Sequence, residues 1–433
     1  MLPIRTAAAL GVAVSALALE ATCASPMPIA RRTGGILAAD LTLDKVYLCR
    51  DNNGNGTAMD LDEVTVFFDG TNADGLPSPS GAIFSMFQTS DGTVYLGDGD
   101  TDTVYACKDL NNDGDALDLG EARIWFSGFN ASLLPLPTPN GICQGADGAI
   151  YITNAGSTSS PQDGLFRTID LNADGDANDL GEQGYFVDET AIGLSNPAPF
   201  QCALVGNLVH FIEPRGSSAD VILIARDTDN SGSVDATELG TFFTAGGPVA
   251  APTSFTCVSD GLSIFVHESS GSAVQEVWKL TDLDASGAID QTDEGVSVWS
   301  ETSLRAPATM SNSFDVALGP AALAIASNGT DLNDEIIVAK DLNADGDYND
   351  PDGTIVFVQG AAGSSFPENI RAVLFYGTPC AADINNSGSV TVQDIFDFLG
   401  FYFANDLRAD INGSGSVTVQ DIFDYLSLYF AGC

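Results

Sequence analysis

A pattern of about 58 residues recurs six times along the chain and limits the folds available to it. Each copy has β-rich runs on both sides of an acidic, glycine-containing loop. The loops begin at intervals of 58, 61, 57, 55 and 59 residues, at Asp51, Asp109, Asp170, Asp227, Asp282 and Asp341, and are named loop 1 to loop 6 in that order. Such self-similarity is typical of propellers, solenoids and other repeat folds. The 433-residue chain is therefore expected to form a repeat array rather than one ordinary core.

The second repeat shows how many strands each copy holds. Residues 82–87, 93–98, 103–108 and 122–127 form short apolar or alternating runs separated by turn residues, and the loop lies between the third run and the fourth. Four short strands per repeat is the pattern of a propeller blade.

The two ends of the array predict how it closes. The first repeat has only three runs, at 35–40, 45–50 and 64–68, and one extra run, 369–376, follows the sixth repeat. We therefore expect a mainly β fold, a six-bladed β-propeller over residues 33–378, in which the last strand completes the first blade and removes the free sheet edges. An open β-rich array with two exposed edges is the alternative.

Every loop carries oxygen-bearing side chains at the spacing of a twelve-residue calcium loop, or one residue longer, with Gly at the sixth position. Calcium needs six to eight hard oxygens, and this spacing wraps them around one point. The predicted ligands are Asp51, Asn53, Asn55, Asp60 and Glu63 in loop 1; Asp109, Asn111, Asp113, Asp115, Asp118 and Glu121 in loop 2; Asp170, Asn172, Asp174, Asp176, Asp179 and Glu182 in loop 3; Asp227, Asp229, Ser231, Ser233, Asp235 and Glu238 in loop 4; Asp282, Asp284, Ser286, Asp290 and Asp293 in loop 5; and Asp341, Asn343, Asp345, Asp347, Asp350 and Asp352 in loop 6.

Six matches at one place in a repeat favour calcium binding over the alternative, an acidic turn that binds nothing, although Asp, Asn and Gly also favour turns. Because the loops join strands, they resemble the calcium-binding hairpins of integrin α-subunit propellers. A basic residue precedes each loop and is expected to offset part of its charge: Arg50, Lys108, Arg167, Arg226, Lys279 and Lys340. The formal net charge of −44 argues against nucleic acids and anionic membrane surfaces as partners and favours bound cations.

Residues 380–433 contain a second, shorter duplication with a spacing of 27 residues. Each copy has an acidic loop followed by apolar residues at helical spacing. The predicted loop ligands are Asp383, Asn385, Ser387, Thr391 and Asp394 in the first copy and Asp410, Asn412, Ser414, Thr418 and Asp421 in the second.

This paired loop–helix motif resembles a bacterial dockerin of the type that ends in Gly-Cys, here Gly432-Cys433. The resemblance implies two calcium ions and docking to a cohesin-like receptor protein. It also implies that the residues at loop positions 10 and 11 face the receptor: Val392, Gln393, Val419 and Gln420. Ser387 and Ser414 stand where Asp is commoner, which should weaken the sites. A packed calcium-dependent cap without a partner is the alternative.

Residues 1–24 are predicted to be a signal peptide, with Arg5 ahead of an apolar, Ala-rich stretch. We therefore expect a secreted or cell-surface-attached protein without membrane insertion. Export permits disulfides, and a Cys380–Cys433 bridge is expected because these residues bracket the last segment. The other five cysteines of the mature chain are interpreted as small buried strand residues, with their pairing left open: Cys49, Cys107, Cys143, Cys202 and Cys257.

Catalytic residues are harder to assign. The face opposite the acidic loops should receive polar residues at the ends of the second strands: Asp98, Asn154, Glu213, Glu268 and Asn328. The segment Pro139-Asn140-Gly141-Ile142 resembles a motif of lactonase-type six-bladed propellers, in which Asn and Glu hold a metal in the channel. His210 and His267, the two histidines of the chain, form no supported Ser-His-Asp set.

Two functions remain open. We favour a secreted calcium-binding propeller that serves as a binding or structural module, with a glycan or small molecule as ligand at its mouth and a cohesin-like partner at its C-terminus. The alternative is an exported hydrolase, lactonase-like or polysaccharide-degrading, with a metal at the channel mouth. The lack of a defensible acid/base pair weighs against the enzyme.

Overall fold

The computed structural model describes two regions of the chain. In the first it describes residues 32–60, 62–79, 83–132, 134–136, 138–155, 163–194, 197–215, 220–249, 254–268, 274–303, 312–319, 321–328, 334–360 and 369–378. In the second it describes 382, 384, 390, 392–404, 409, 411 and 417–431. The predicted signal peptide, residues 1–24, lies outside the described residues, as do Cys380 and Cys433.

The first region folds into six sheets of four antiparallel strands, which confirms the mainly β, six-bladed propeller. Blade 1 contains β1 (Arg32–Asp40), β2 (Lys45–Cys49), β3 (Val64–Phe68) and β24 (Ile370–Thr378); blade 2 contains β4 (Ile83–Gln88), β5 (Val94–Asp98), β6 (Thr103–Cys107) and β7 (Ala122–Ser127); blade 3 contains β8 (Pro139–Gln144), β9 (Ile150–Asn154), β10 (Gly164–Thr168) and β11 (Gln183–Asp188).

Blades 4 to 6 repeat this order. Blade 4 contains β12 (Cys202–Val205), β13 (Leu208–Glu213), β14 (Val221–Ala225) and β15 (Leu239–Thr244); blade 5 contains β16 (Ser254–Ser259), β17 (Ile264–Glu268), β18 (Glu276–Leu280) and β19 (Gly295–Ser300); blade 6 contains β20 (Asn312–Gly319), β21 (Ala322–Asn328), β22 (Glu335–Lys340) and β23 (Thr354–Gln359). A short helix α1 (Glu189–Ile192) and a 3₁₀ turn (Glu301–Ser303) follow β11 and β19.

The ring closes as predicted, through the strand that follows the sixth repeat. β24 pairs antiparallel with β1, so that Leu37 lies opposite Leu374 and Ala38 opposite Val373. The first strand of each sheet contacts the first strands of both neighbouring sheets, in the closed order β24, β4, β8, β12, β16, β20. These six innermost strands therefore surround the central channel, and the ends of the sheet array are joined rather than open.

Apolar side chains from adjacent blades fill the spaces between the sheets. The rings of Phe126 in blade 2 and Phe166 in blade 3 lie 6.0 Å apart, centroid to centroid. Trp125 and Trp299 each pass a hydrogen bond to the next blade, because their indole N–H groups donate to the hydroxyls of Thr168 (3.0 Å) and Thr354 (3.3 Å). Because each sheet packs between two neighbouring sheets, a strand such as β6 buries both of its faces. This explains its unbroken apolar run.

The innermost strands share an irregularity that the repeat pattern did not reveal. β4, β8, β16, β20 and β24 each have a register shift near their first residues, which leaves one residue unpaired. β12 has the same arrangement just before its start, where Ile212 bonds with both Phe200 and Gln201. These are β-bulges, which commonly re-aim a side chain beside a functional site.

The second region contains α2 (Val392–Phe403) and α3 (Val419–Ala431). Phe398 and Tyr425, which are equivalent in the 27-residue duplication, stack with ring centroids 4.1 Å apart and planes 2° apart. The two copies therefore pack as a nearly symmetric pair. None of the helices among the described residues is long and apolar enough to cross a membrane.

All five described cysteines are buried and unpaired, in agreement with the interpretation as small strand residues: Cys49, Cys107, Cys143, Cys202 and Cys257. Burial raises the pKa of Cys49 to about 12, so this thiol stays protonated near neutral pH.

Candidate metal-binding loops and the channel mouth

The six acidic loops connect the third and fourth strands of their blades, and salt bridges place them on one face of the ring. Lys108, which precedes loop 2, pairs with Asp91 in the turn between the first two strands of its blade, at 3.0 Å. Arg167 and Lys279 make the corresponding pairs with Asp147 (2.6 Å) and Asp260 (3.2 Å). Three of the basic residues predicted to offset the loop charge thus pair with turn carboxylates instead.

Arg226 does contact a loop, but that of the following blade. Its guanidinium donates to the backbone carbonyl of Gly287 in loop 5, at 3.2 Å. This basic side chain therefore contacts a loop across a blade boundary rather than within its own blade.

Two positions of the loop backbone have the same conformation in all six blades. The fourth residue of each loop has a left-handed φ between 57° and 77°: Gly54, Asn112, Ala173, Asn230, Ala285 and Ala344. The sixth residue, always Gly, has a φ between 84° and 104°: Gly56, Gly114, Gly175, Gly232, Gly287 and Gly346. Left-handed φ is costly for alanine and free of steric cost for glycine. The loops therefore keep a strained turn even where the residue at the fourth position does not favour it.

Two hydrogen bonds recur in every loop and gather its side chains. The N–H of the sixth residue donates to the carboxylate of the first Asp, at 2.8–3.1 Å. The N–H of the fifth residue donates to the side-chain oxygen of the third, at 2.8–3.0 Å. Because the chain curls around these oxygens, the first, third and fifth side chains all turn toward the inside of the loop.

A final carboxylate closes each of the first five loops. Glu121, for example, accepts hydrogen bonds from the N–H groups of Leu110 (2.7 Å) and Asp118 (3.3 Å), one on each oxygen. The same two-armed contact is made by Glu63, Glu182, Glu238 and Glu294. In loop 5 the closing residue is Glu294, which sequence analysis did not single out, whereas Asp293 is exposed. Counting thirteen residues, as in loops 2 and 3, would have found it.

Loop 6 replaces the closing glutamate. Its thirteenth residue is Gly353, whose carbonyl accepts from the N–H of Lys340 as that of Glu121 does from Lys108. Asp350 supplies the missing carboxylate and accepts from the N–H groups of Leu342 (2.6 Å) and Asn343 (3.2 Å). A Cβ at Gly353 would lie only 3.1 Å from the Cβ of Asp350, so the glycine makes room for the substitute.

Carboxylates converge closely enough to share a cation in three loops. Within each of three groups the ligand oxygens lie within 4.8 Å of one another: Asp174, Asp176 and Glu182; Asp227, Asp229 and Glu238; Asp282, Asp284 and Glu294. In loops 2, 3 and 6, the amide nitrogen of the third residue lies between two carboxylates; that of Asn111 contacts Asp113 (2.9 Å) and Asp118 (2.6 Å). The donor set is oxygen-rich and anionic, and therefore fits a hard divalent cation such as calcium.

The pKa shifts of the loop carboxylates also favour a bound cation. Burial, followed by the charges of Asp113, Glu121 and Asp118, raises the pKa of Asp115. Burial would also raise the pKa of Glu294, but hydrogen bonds from Gln291, Asp290 and Leu283 outweigh it and lower that pKa. The closing carboxylate is thus held ionised by backbone N–H groups, while its neighbours repel each other and would gain from a bound cation.

Each loop also fastens its blade to the preceding one. The N–H of the eighth residue donates to a carbonyl in the outermost strand of the preceding blade, and this contact occurs at all six boundaries, including that between blades 6 and 1. The pairs are Ala58 with Phe357, Ala116 with Phe67, Ala177 with Trp125, Val234 with Phe186, Ile289 with Phe242 and Tyr348 with Val298, at 2.6–2.8 Å. Loop geometry and blade-to-blade contact are therefore coupled.

The C-terminal loops are described only at their ends. Asp394 and Asp421, the twelfth residues of the two loops, are fully buried, and Asp421 accepts from the hydroxyl of Thr418 at 3.0 Å. The remaining predicted ligands lie outside the described residues: Asp383, Asn385, Ser387, Thr391, Asp410, Asn412 and Ser414. Val392 and Val419 are 61% and 59% exposed.

On the face opposite the loops, the described residues considered as ligands of a channel metal contact neighbouring backbone groups. The side-chain amide of Asn140 donates to the carbonyl of Pro199 (3.3 Å), and the side-chain oxygen of Asn154 accepts from the N–H of Thr138 (3.1 Å). Glu213 is fully buried; one of its oxygens accepts from Ala198, and the other has no hydrogen-bond partner. The side chains of Glu268 and Asn328 lie outside the described residues.

The histidines are buried and neutral. Burial lowers the pKa of His210 to about 4 and that of His267 to about 3. Ser313 Oγ lies 2.7 Å from His267 Nε2 and donates its proton to the side-chain oxygen of Gln275, also at 2.7 Å. His267 Nε2 must then be the donor to Ser313, so this Ser–His pair is not arranged to deprotonate the serine.

No protein-family model and no curated protein matches the chain. Solved structures of similar fold are distant. Virginiamycin B lyase from Staphylococcus aureus is 15% identical, with a TM-score of 0.37, over 75% of this chain and 84% of that one. PQQ-bound aldose sugar dehydrogenase from Streptomyces coelicolor is 14% identical, with a TM-score of 0.42, over 77% and 93%. TolB from Acinetobacter baumannii is 12% identical, with a TM-score of 0.44, over 81% and 68%. At these identities and TM-scores the similarity carries no argument about ligand or activity.

Proposed function

We propose that the chain is a calcium-stabilised β-propeller that acts as a binding or structural module. The observation that carries this proposal is the repetition of one oxygen-lined loop at all six blade boundaries, each with an N–H contact to the preceding blade. A cation that binds the first, third, fifth and closing side chains would hold the eighth residue in place. Its contact with the preceding blade would then be held as well. Calcium is favoured because the donors are carboxylate and amide oxygens at calcium-loop spacing.

The C-terminal helices are proposed to attach the propeller to another protein. The resemblance to dockerins implies a cohesin-like receptor and two further calcium ions. Support comes from the near-symmetric packing of α2 and α3 and from the exposure of Val392 and Val419 at equivalent positions. Gln393 and Gln420 follow them and bond identically to Asp397 (2.9 Å) and Asp424 (2.8 Å) on the next turn. Two equivalent surfaces would allow either copy to engage the receptor.

Calcium stoichiometry tests the first proposal. The full chain is dialysed against trace calcium, and the bound metal is measured by atomic emission, with magnesium as the competing ion. We expect six ions for the propeller loops and two for the C-terminal loops, retained in excess magnesium. Glu182→Gln should remove one ion, whereas Glu189→Gln, on α1 and outside the loops, should remove none. Equal binding by both variants, or no bound calcium, would contradict the proposal.

Receptor docking is tested separately by paired substitutions. Val392 and Gln393 are changed to Asp together, then Val419 and Gln420, then all four, and binding to an immobilised cohesin panel is measured. With two equivalent surfaces, either double variant should bind within about twofold of the parent, because only half of the docking modes is lost. The quadruple variant should not bind. Full loss in one double variant would leave a single docking surface, and no binding by the parent would remove this part of the proposal.

An exported hydrolase remains the second candidate, and Glu213 is the observation in its favour. Burial raises the pKa of Glu213 to about 7, and one of its oxygens lacks a partner. A carboxyl that titrates near neutral pH suits general acid or base catalysis. Hydrolysis of a lactone and glycan panel that is abolished by Glu213→Gln, with an unchanged melting temperature, would support this function.

Secretion is part of the same proposal. Residues 1–24 have the charge and hydropathy pattern of a signal peptide. N-terminal sequencing of the protein collected outside the producing cells should begin shortly after Ala24, and an intact Met1 would contradict export by this route.

A further inference from the structure

Three consecutive innermost strands place an arginine between two phenylalanines, in strand order, at the same level of the channel. Phe314 of β20, Arg371 of β24 and Phe84 of β4 are each the residue left unpaired by the bulge of their strand. All three are partly exposed, and neither phenylalanine belongs to an inter-blade apolar core. Because the innermost strands begin on the face opposite the acidic loops, these residues border the mouth of the channel on that face.

The guanidinium of Arg371 stacks on the ring of Phe314, with its carbon 4.0 Å from the ring centroid. Its Nε is buried and has no hydrogen-bond partner, and among the described residues no carboxylate forms an ion pair with it. Burial lowers the pKa of Arg371, although Asp334 partly opposes this effect. Such an arginine is unusual in a chain with 59 acidic and 15 basic residues, where a carboxylate partner would be easy to supply.

The strands around this site are fixed by hydrogen bonds between blades. Next to Phe314, the carboxyl of Asp315 accepts from the hydroxyl of Thr256 (2.8 Å) and the N–H of Val373 (2.9 Å), and so joins blades 5, 6 and 1. The carbonyl of Phe84 accepts from the side chain of Gln201 in blade 4, at 3.0 Å. A site held by such contacts is preorganised, which lowers the entropic cost of binding.

We propose that the channel mouth binds a small organic carboxylate with an aromatic or similarly flat apolar group. Arg371 receives the carboxylate, and its planar fork matches that anion in a two-point contact. Phe84 and the part of Phe314 that Arg371 does not cover supply apolar surface for the flat group. This site is remote from the acidic loops, does not require metal in them, and goes beyond the calcium-dependent role proposed above.

Benzoate serves as the probe, and its binding to the full calcium-loaded chain is measured by titration calorimetry and by ligand-observed NMR. Benzyl alcohol, which keeps the ring, and acetate, which keeps the charge, should each bind at least about tenfold more weakly, because each loses one of the two interactions. Arg371→Gln should weaken benzoate binding at least about tenfold. Phe314→Leu should weaken it about two- to fivefold.

Arg215→Gln is the matched control, because Arg215 also has a buried Nε without a hydrogen-bond partner but follows β13 in blade 4. It should bind benzoate like the parent, and calcium binding should be the same in all variants. The proposal is overturned if benzoate does not bind, if benzyl alcohol or acetate binds equally well, or if Arg215→Gln rather than Arg371→Gln removes binding. If Arg371→Gln also loses calcium binding or melts at a lower temperature than the parent, that variant has misfolded. Arg371→Lys is then the variant that tests the proposal.

Discussion

The two faces of the propeller use repetition in different ways. On the acidic face, the residue types repeat together with the backbone, and the same hydrogen bonds recur in loop after loop. At the opposite mouth the backbone also repeats, since each innermost strand has a bulge or its equivalent. The residue at the bulge is Phe in four blades and differs in two, Asn140 in blade 3 and Arg371 in blade 1; the four are Phe84, Phe200, Phe255 and Phe314. Repeated residues on a repeated backbone indicate a shared structural role, whereas Asn140 and Arg371 depart from the repeated Phe and make the mouth asymmetric, as the ligand site proposed above requires.

Calcium removal is the strongest test of the acidic face. A ligand at a hundred times its dissociation constant stabilises the folded state by about 2.7 kcal/mol per site, and six sites act together. We expect chelation with EGTA to lower the melting temperature of the full chain by more than about 10 °C, reversibly on adding calcium back. Calorimetry at fixed ionic strength measures this shift, and added magnesium alone should not restore it. A melting temperature insensitive to EGTA would show that the loops are ordinary turns that calcium does not stabilise.

Asp315 provides a smaller test on the mouth side, away from the acidic loops. Burial raises the pKa of Asp315 to about 7, against about 3.9 in the unfolded chain. A raised folded-state pKa gives stability that is complete below about pH 4 and is lost as the pH rises through 7. Asp315→Asn cannot ionise. Its free energy of unfolding should therefore rise relative to that of the parent between pH 4 and pH 8, by an amount on the order of 4 kcal/mol.

Urea unfolding of both proteins in saturating calcium measures this gain, and Asp293→Asn, at an exposed position, is the control. The difference between parent and Asp315→Asn must grow with pH, while the control difference stays flat. A difference that is independent of pH would show that Asp315 is ionised in the folded state.

Single loops should contribute less than the whole set. Glu182→Gln removes the closing charge of loop 3 and should cost about 1–3 kcal/mol in calcium, with most of the loss absent in EGTA. Because the eighth residue of this loop fastens blade 3 to blade 2, hydrogen exchange at the N–H of Ala177 should accelerate more than at the N–H of Ala116 in loop 2. Equal acceleration at both boundaries would mean that the contacts between blades open together rather than one boundary at a time.

The smallest expected effect concerns backbone strain in the loops. Ala173 has a left-handed φ of 61°. Replacing it with Gly should stabilise the protein by about 0.5–1 kcal/mol, because glycine adopts this conformation without steric cost. Ala177→Gly, in the same loop at a buried position, should be destabilising instead. Thermal unfolding of the two variants side by side measures both, and a destabilised Ala173→Gly would contradict the strain argument.

The architecture could be predicted from the sequence because its signals are periodic. The five intervals between the six loops, the missing first strand and the extra strand at 369–376 together predicted the number of blades and the mode of closure, and the structure confirms both. The burial of Cys107 followed from its apolar strand, whereas the sequence left its pairing open. In each case, many residues carry the same information, so no single position decides the outcome.

The remaining features depend on single residues or on contacts between blades. A bulge adds one residue to a strand and leaves no periodic signal, so the exposure of Arg371 beside Phe314 was not predicted. The closing role of Glu294 was missed because it depends on one residue of loop length. The contact between Ala177 and Trp125 joins backbone atoms, which no side-chain pattern can report.

The pairing of β24 with β1 has a consequence for the order in which the molecule becomes complete. The partners, such as Leu37 and Leu374, are separated by nearly the whole propeller, so blade 1 keeps an open edge throughout synthesis until the final propeller strand emerges. The helices α2 and α3 are encoded after that strand. A chain that stalls within the repeats therefore lacks both the strand that closes the ring and the two helices proposed above to attach the propeller to another protein.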